Sequence, residues 1–150
     1  MDTLARTADD VELDRLNGAL GFLLRLAQLK VYEHFFAEVG GRDLRPGEFS
    51  VLWVIRCNPG IRQSMLGQRL MIKRAHMTKL IRALEDRGLV SRCIPDEDRR
   101  AVELTLTAVG RTAIDEAAEW FFTYEDGVGA NMSAAERKQL LDLLHKFIGL

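Results

Sequence analysis

The sequence has few of the residue types that mark extracellular, metal-binding or membrane-spanning chains. Only two of its 150 residues are cysteines, Cys57 and Cys93, and their spacing fits neither a metal-ligand motif nor a disulfide framework. A run of about 18 apolar residues, which a membrane span requires, is missing. The N-terminus lacks the basic and then apolar segments of a signal peptide. We therefore expect a cytoplasmic protein.

The sequence patterns typical of enzymes are also missing. We find no glycine-rich phosphate loop, no Ser/His/Asp spacing and no cluster of metal ligands, and the three histidines are scattered along the chain. We therefore predict neither catalysis nor a cofactor. The composition, with 47% hydrophobic and 29% charged residues, is typical of a globular chain that buries a core within a single domain.

The net charge of −1 is distributed unevenly along the chain. Between Arg62 and Arg100 there are ten Lys or Arg residues and five Asp or Glu residues, a local charge of +5. The rest of the chain has eleven basic and seventeen acidic residues, a local charge of −6. A basic segment within an acidic chain is expected where one face of a protein meets a polyanion.

The spacing of apolar residues predicts a mostly helical chain with one small hairpin. Helices are expected over residues 11–39, 46–57, 64–71 and 108–125, with another from Lys73 or Arg74 to Arg87 and a last one after Ser133. Ser64 and Thr107 are candidate N-caps, Gly88 ends the fourth helix, and Ser133 with Glu136 matches a capping box. Two strand-like runs, 89–94 and 101–106, flank a charged tip at 95–100.

The fourth helix has the composition of a helix that reads DNA. One side carries an apolar stripe: Met77, Leu80, Ile81 and Leu84. The opposite side is basic or polar: Arg74, His76, Lys79 and Arg82. Near the helix start, Arg74 and His76 could reach base edges in a major groove, while Lys79 and Arg82 could neutralise phosphates. Taken alone, the pattern also fits an amphipathic helix whose charged side meets only solvent.

The hairpin tip favours the DNA-binding hypothesis. Arg99 and Arg100 lie at the end of a two-stranded projection and can enter a minor groove, whose negative potential favours guanidinium groups. Asp98 is expected to pair with a neighbouring arginine and so brace the wing. A charged turn held by internal ion pairs is the alternative. A helix, a basic helix and a basic-tipped hairpin follow one another in this order along the chain. This order predicts a winged helix-turn-helix that is mostly α with a small β wing.

Four segments carry this pattern: Leu66–Leu70, Met77–Val90, Asp96–Arg100 and Leu104–Gly110. Together they resemble the MarR family of bacterial transcription regulators, and the likeness covers nearly the whole chain. The resemblance implies one domain over 1–150 in which residues 10–40 and 108–150 form N- and C-terminal dimerisation helices. Residues 44–107 would form the winged helix-turn-helix lobe that binds DNA.

The resemblance implies a homodimer that binds a pseudo-palindromic operator in double-stranded DNA, usually represses transcription, and often releases DNA when a small molecule binds. It also implies that five residues face the major groove: Arg74, Ala75, His76, Thr78 and Lys79. The chain departs from the family at Met71, where glycine is frequent, and at Lys73, where an acceptor cap is usual. Ala75 and His76 replace a usual Ser-Thr pair, so a relative's operator sequence does not carry over.

The resemblance also places an effector pocket between the dimerisation and DNA-binding parts. We predict that an aromatic or carboxylate compound contacts four residues there: Arg25, Phe36, Trp53 and Trp120. The alternative for each aromatic residue is a place in the core, where such residues are found more often.

Three further points stay open at this stage. The apolar residues of the first and last helices favour a symmetric dimer, although these helices could instead cover their own domain. A redox-sensing regulator acting through Cys57 or Cys93 is a second possible function, because an accessible thiolate can be oxidised. A winged-helix adaptor that binds another protein is a third.

Overall fold

The computed structural model describes residues 7–150, which form six α-helices and a three-stranded antiparallel sheet. The helices are α1 (Leu20–Val39), α2 (Pro46–Cys57), α3 (Gln63–Arg69), α4 (Arg74–Asp86), α5 (Ala108–Gly127) and α6 (Ala134–Ile148). The strands are β1 (Ile61–Arg62), β2 (Val90–Cys93) and β3 (Glu103–Leu106). The predicted fold class, mostly helical with a small β wing, is confirmed.

The chain divides into two compact units. The described residues up to Gly40 together with Val128–Leu150 form a terminal unit, and Gly41–Gly127 form a central unit. The helix-turn-helix, the hairpin and α5 all belong to the central unit. Among residues 7–150, no helix combines the length and the apolar character that a membrane crossing needs.

The first helix is shorter than the sequence predicts. It begins at Leu20 because residues 14–18 form a tight 3-10 turn, in which Asp14 has a left-handed backbone with φ of 46°. Asn17 and Gly18 lie in this turn and have low helix propensity. The expected helix start at residue 11 is therefore wrong, although the predicted end at Val39 is confirmed.

The central unit is built around one apolar core supplied by α2, α3, α4, β3 and α5. Its least accessible large side chains are Val51, Leu52, Ile55, Leu66, Met77, Ile81, Leu84, Leu104 and Ile114. From the predicted stripe of α4, Met77, Ile81 and Leu84 are buried there, and Leu80 is half-buried. Burying a side chain of this size contributes about 1.5–3 kcal/mol. The stripe therefore fixes which side of α4 meets solvent.

The two-residue strand β1 is an element that the sequence pattern did not predict. It pairs with β3, placing Ile61 opposite Leu104, and β3 also pairs with β2. The N–H of Gly60 donates to the Leu104 carbonyl at 2.9 Å, and the N–H of Gln63 donates to the Val102 carbonyl at 2.8 Å. β1 thus attaches the start of α3 to strand β3 of the hairpin.

Thr107 joins the end of α4 to the start of α5. Its hydroxyl accepts the N–H of Gly110 at 2.9 Å, as the sequence predicts for an N-cap, and donates to the Gly88 carbonyl at 2.5 Å. Its own N–H donates to the Leu89 carbonyl at 3.1 Å. Gly110 is needed because a Cβ at this position would lie 1.9 Å from the Leu89 carbonyl oxygen. The two helix ends are therefore fixed to each other.

Two other predicted caps have different outcomes. The capping box of α6 is present: Ser133 N–H donates to Glu136 Oε2 at 2.8 Å, and Glu136 N–H donates to Ser133 Oγ at 3.1 Å. The pKa of the Glu136 carboxyl is lowered, mainly because it accepts a hydrogen bond from the Ser133 backbone and to a lesser extent because it interacts with the Ser133 side chain. The prediction that Ser64 caps α3 is wrong, because that helix begins at Gln63 with Arg62 as its N-cap.

Met71 has a backbone conformation that glycine would adopt with less strain. Its side chain is 90% exposed and its φ is 54°. The left-handed region costs a residue with a Cβ roughly 1 kcal/mol. We predict that Met71→Gly raises the free energy of unfolding by about 1 kcal/mol, measured by urea titration at one protein concentration.

Met65→Gly is the matched control for this prediction. Met65 is also an exposed methionine, but it lies within α3, where glycine should lower the free energy of unfolding by about 1 kcal/mol. A Met71→Gly protein no more stable than the wild type would contradict the assignment of backbone strain to Met71.

Candidate nucleic-acid interface

α3 and α4 form a helix-turn-helix joined by residues 70–73. The N–H of Ile72 donates to the Gly67 carbonyl at 2.9 Å, which closes the turn. Gly67 is buried, and a Cβ on it would lie 3.1 Å from the Ile72 carbonyl oxygen, so a small residue lets the turn approach α3. Leu66 and Met77 anchor the two helices in the core. The outer side of α4 is left at the surface.

This outer side carries the residues predicted to face the major groove or a phosphate. Five of them are exposed: Arg74, Ala75, His76, Lys79 and Arg82. Thr78 is half-buried at the edge of the same side. Positions 75, 78, 79 and 82 follow the i, i+3, i+4, i+7 spacing of one helix face. The major groove of B-DNA is wide enough to admit an α-helix, and the exposed basic side of such a helix can then face the DNA.

The start of α4 has no side-chain cap. Lys73 is the N-cap residue, and no side chain accepts a hydrogen bond from the first turn in the part of the chain that the structure describes. Together with the positive end of the helix dipole, these N–H groups favour an anion. A DNA phosphate would be a suitable acceptor at this end of the helix.

The wing tip is organised by the carboxylate of Asp98. Its Oδ2 lies 3.2 Å from Arg62 Nη1 on β1, and its Oδ1 accepts the N–H of Arg100 at 3.2 Å. The arginine that pairs with Asp98 is therefore 36 residues away in sequence and not within the tip. Arg99 lies 4.0 Å from Asp96, and both side chains are over four-fifths exposed.

The ten basic residues between Arg62 and Arg100 fall into two sets. Four lie within 4.0 Å of a carboxylate: Arg62, Arg87, Arg92 and Arg99. The other six have no carboxylate that close among residues 7–150: Arg69, Lys73, Arg74, Lys79, Arg82 and Arg100. Most of this second set belongs to α4 or the wing tip. Uncompensated positive charge is therefore concentrated on the side of the molecule predicted to meet DNA.

Arg87 and Arg92 have structural partners. Arg87 Nη1 lies 2.6 Å from Glu48 Oε2, and its Nη2 donates to the Asp43 carbonyl at 2.7 Å. Arg92 on β2 donates from Nε to Glu85 Oε2 on α4 at 2.7 Å. Partly exposed pairs of this kind contribute about 1 kcal/mol or less to stability. They hold the end of α4 to the start of α2 and to the wing.

Sequence reasoning missed the contacts of Arg62 and Gln63. By charge alone, Arg62 is one basic residue among ten, and Gln63 carries no charge. Gln63 Nε2 donates to Thr78 Oγ1 at 3.2 Å, across 15 residues and the helix turn. Because the contact joins two helices and not two turns of one helix, no periodic signal in the sequence could have revealed it.

The four residues predicted to contact an effector lie on three helices: Arg25 and Phe36 on α1, Trp53 on α2 and Trp120 on α5. Arg25 and Phe36 are exposed, and both tryptophans are half-buried. The Arg56 guanidinium lies 5.2 Å from the Trp53 ring centroid and is ion-paired with Asp115. The Arg42 guanidinium lies 5.0 Å from the Trp120 ring centroid.

Both tryptophans border one aromatic cluster of the central unit. At its centre the rings of Phe49 and Phe121 stack, with centroids 3.7 Å apart. Trp53 meets Phe122 edge-on at 5.1 Å, and Trp120 meets Phe121 at 6.1 Å. Trp120 also lines an open groove of about 520 Å³ within the central unit. The cluster is partly core and partly surface.

The two candidate redox residues are exposed free thiols. Cys57 is the last residue of α2, and Cys93 is the last residue of β2, opposite Glu103. Their position at element ends gives each thiol access to solvent. A redox role for either of them stays a prediction.

Comparisons with known proteins agree on one family. The MarR family model matches residues 44–102, which include α3, α4 and most of the wing. A protein of Thauera aromatica, described as a transcriptional regulatory protein for the hcr operon, is 32% identical over 130 residues, or 86% of this chain and 78% of that one.

The solved structures that resemble this chain include the transcriptional repressor CouR. Bound to a 23-mer DNA duplex, CouR is 34% identical with a TM-score of 0.83, covering 92% of this chain and 98% of that chain. Bound to p-coumaroyl-CoA, CouR is 32% identical with a TM-score of 0.81, covering 92% and 97% of the two chains.

Proposed function

This chain belongs to the MarR family of transcriptional regulators, and we propose that it is a homodimeric repressor that binds a pseudo-palindromic operator in double-stranded DNA. The observation that carries the proposal is the separation of its basic residues into two sets. Those of α4 and Arg100 in the wing lack a carboxylate within 4.0 Å among the described residues, whereas Arg62, Arg87 and Arg92 have one. Arg99 in the wing is the exception, since it lies 4.0 Å from Asp96 with both side chains mostly exposed. A surface kept cationic in this way suits a polyanion.

In this proposal each DNA-facing element has a separate role. α4 enters the major groove, where Arg74 and His76 at its start reach base edges and Lys79 and Arg82 bind phosphates. The small side chain of Ala75 lets the helix approach closely. Arg99 and Arg100 reach the minor groove, and the Asp98–Arg62 pair braces the wing that carries them.

The salt dependence of binding tests this assignment. Each phosphate neutralised contributes about 0.9 to the slope of log K against log salt concentration. We predict that Lys79→Ala and Arg100→Ala each make the slope shallower by about one for a duplex that the wild-type protein selects from a random pool.

The control for the salt measurement is Lys138→Ala. Lys138 on α6 lies 2.6 Å from Asp142 and outside the basic segment, so the slope should not change. Tight, specific binding that neither Lys79→Ala nor Arg100→Ala alters would contradict the proposed interface.

The terminal unit supports the dimer. Phe35 and Val39 are the only buried hydrophobic residues among those described in this unit, and α6 has none. Large apolar side chains of α1 and α6 are 44–61% exposed, including Leu20, Leu23, Leu29, Leu143, Phe147 and Ile148. Contact with the same surface of a second copy would remove this apolar area from water. It would also supply the two DNA-reading helices that a palindromic site needs.

A charged substitution on α6 tests the dimer. We predict that the wild-type protein has twice the 17.0 kDa chain mass by light scattering. Phe147→Asp should shift it toward one chain mass and weaken operator binding, because a carboxylate would be buried without a partner. Gln139→Asp, at an exposed polar position of the same helix, should remain a dimer. A wild-type monomer that binds operator tightly would contradict the proposal.

The effector in this proposal is an aromatic acid or its acyl-CoA thioester. CouR binds p-coumaroyl-CoA, and in this chain both Trp53 and Trp120 combine a half-buried ring with a nearby guanidinium. Such a ring offers a stacking surface, and the Arg42 guanidinium beside Trp120 offers a partner for a carboxylate or phosphate, whereas Arg56 beside Trp53 is already paired with Asp115.

Tryptophan fluorescence tests the effector proposal, because Trp53 and Trp120 are the only tryptophans in the sequence. We predict that p-coumaroyl-CoA or p-coumarate quenches the fluorescence and releases bound DNA over the same concentration range. Trp53→Phe and Trp120→Phe would show which ring responds, and coenzyme A alone is the control. Failure of both compounds to release DNA would contradict the proposed ligand class.

A further inference from the structure

We infer that Gln63 is a positioning residue that leaves the hydroxyl proton of Thr78 available for a hydrogen-bond acceptor on DNA. The inference rests on the proposed function, since it requires α4 to lie against DNA. It concerns a residue of α3 whose side chain need not touch DNA itself. Its effect is transmitted through one hydrogen bond between the two helices of the helix-turn-helix.

The contact itself is well defined. Gln63 Nε2 donates to Thr78 Oγ1 at 3.2 Å, and both residues are half-buried. A threonine hydroxyl has one proton to donate and two lone pairs that accept. The amide of Gln63 occupies one lone pair, so the hydroxyl proton must point in another direction. The contact therefore makes Thr78 a donor toward any further partner.

The other two threonines in α-helices behave differently. Thr112 donates its hydroxyl proton to the Ala108 carbonyl at 3.2 Å, and Thr123 donates to the Glu119 carbonyl at 2.6 Å. Both use the carbonyl four residues back in their own helix, the usual partner for a helical threonine. Within the described part of the chain, Thr78 donates to no such carbonyl. Its proton is therefore available.

Gln63 is held in place from a second side. Its backbone N–H donates to the Val102 carbonyl at 2.8 Å, next to β3. The adjacent Arg62 is ion-paired with Asp98 in the wing tip. One dipeptide thus contacts the wing through its backbone and one side chain, and α4 through the other side chain. This fixed position lets Gln63 orient Thr78 and also links the wing to the reading helix.

The acceptor that Thr78 would meet is defined by chemistry. In the major groove it is guanine O6 or N7, adenine N7 or thymine O4. At the groove edge it is a phosphate oxygen. Both are acceptors only, which suits a hydroxyl that is restricted to donating.

A double-mutant cycle tests the inference. The probe is a duplex selected by the wild-type protein from a random pool, with a shuffled duplex of equal length for comparison. Gln63→Met and Thr78→Val should each weaken binding to the selected duplex by about two- to tenfold, the range for one neutral hydrogen bond. The double variant should bind no more weakly than Thr78→Val alone. Thr78→Ser, which keeps the hydroxyl, should bind like the wild type and stay sensitive to Gln63→Met.

Gln68→Met, at an exposed glutamine of the same helix, is the matched control and should leave binding unchanged. If Gln63→Met and Thr78→Val lose affinity only for the selected duplex, the acceptor of Thr78 is a base. If they lose affinity equally for both duplexes, the acceptor is a phosphate. Both results support the inference. Wild-type affinity in Gln63→Met, or an unchanged effect of Gln63→Met in the Thr78→Val background, would overturn it. Wild-type protein that binds no duplex would instead overturn the proposed function as a whole.

Discussion

The burial of one side of α4 is the constraint on which the rest of the interface depends. Met77, Ile81 and Leu84 are at most 1% exposed, and rotating the helix about its axis would expose them to water. The buried side therefore sets which residues face outward. The close turn at Gly67 fixes the start of the helix, and the hydrogen bonds of Thr107 to Gly88 and Leu89 fix its end. The exposed basic side is in this sense a consequence of core packing.

In this protein, the availability of a basic residue depends on whether it has an acidic partner and not only on the number of basic residues. A chain of net charge −1 can present a cationic surface because its basic and acidic residues are unevenly distributed, with a local charge of +5 between Arg62 and Arg100. Glu48 and Glu85 hold Arg87 and Arg92, and Asp98 holds Arg62. From Arg74 to Leu84, α4 contains no Asp or Glu, and its two acidic residues, Glu85 and Asp86, lie at its C-terminal end. Counting bases predicts the segment that meets DNA, and the carboxylate partners distinguish Arg62, Arg87 and Arg92 from the basic residues of α4 that we propose bind DNA.

Most features that the sequence predicted depend on local spacing, although the start of α1 and the cap of α3 were wrong, and features that join distant residues could not be predicted. The stripe of α4 and the capping box at Ser133 are local patterns, and the structure contains both. The Arg62–Asp98 and Gln63–Thr78 contacts span 36 and 15 residues and leave no periodic trace. β1 is too short to show alternation. The DNA and effector contacts named from the sequence stay predictions, because each requires a molecule outside the chain.

The most direct test of the central claim compares two arginines that a simple charge count treats alike. Arg82 has no carboxylate within 4.0 Å among the described residues, whereas Arg92 is paired with Glu85. We predict that Arg82→Ala makes the salt slope of DNA binding shallower by about one and leaves the free energy of unfolding unchanged. Arg92→Ala should leave the slope unchanged and lower that free energy by about 1 kcal/mol or less. Equal changes of slope in the two variants would show that pairing with a carboxylate does not decide which arginines bind DNA.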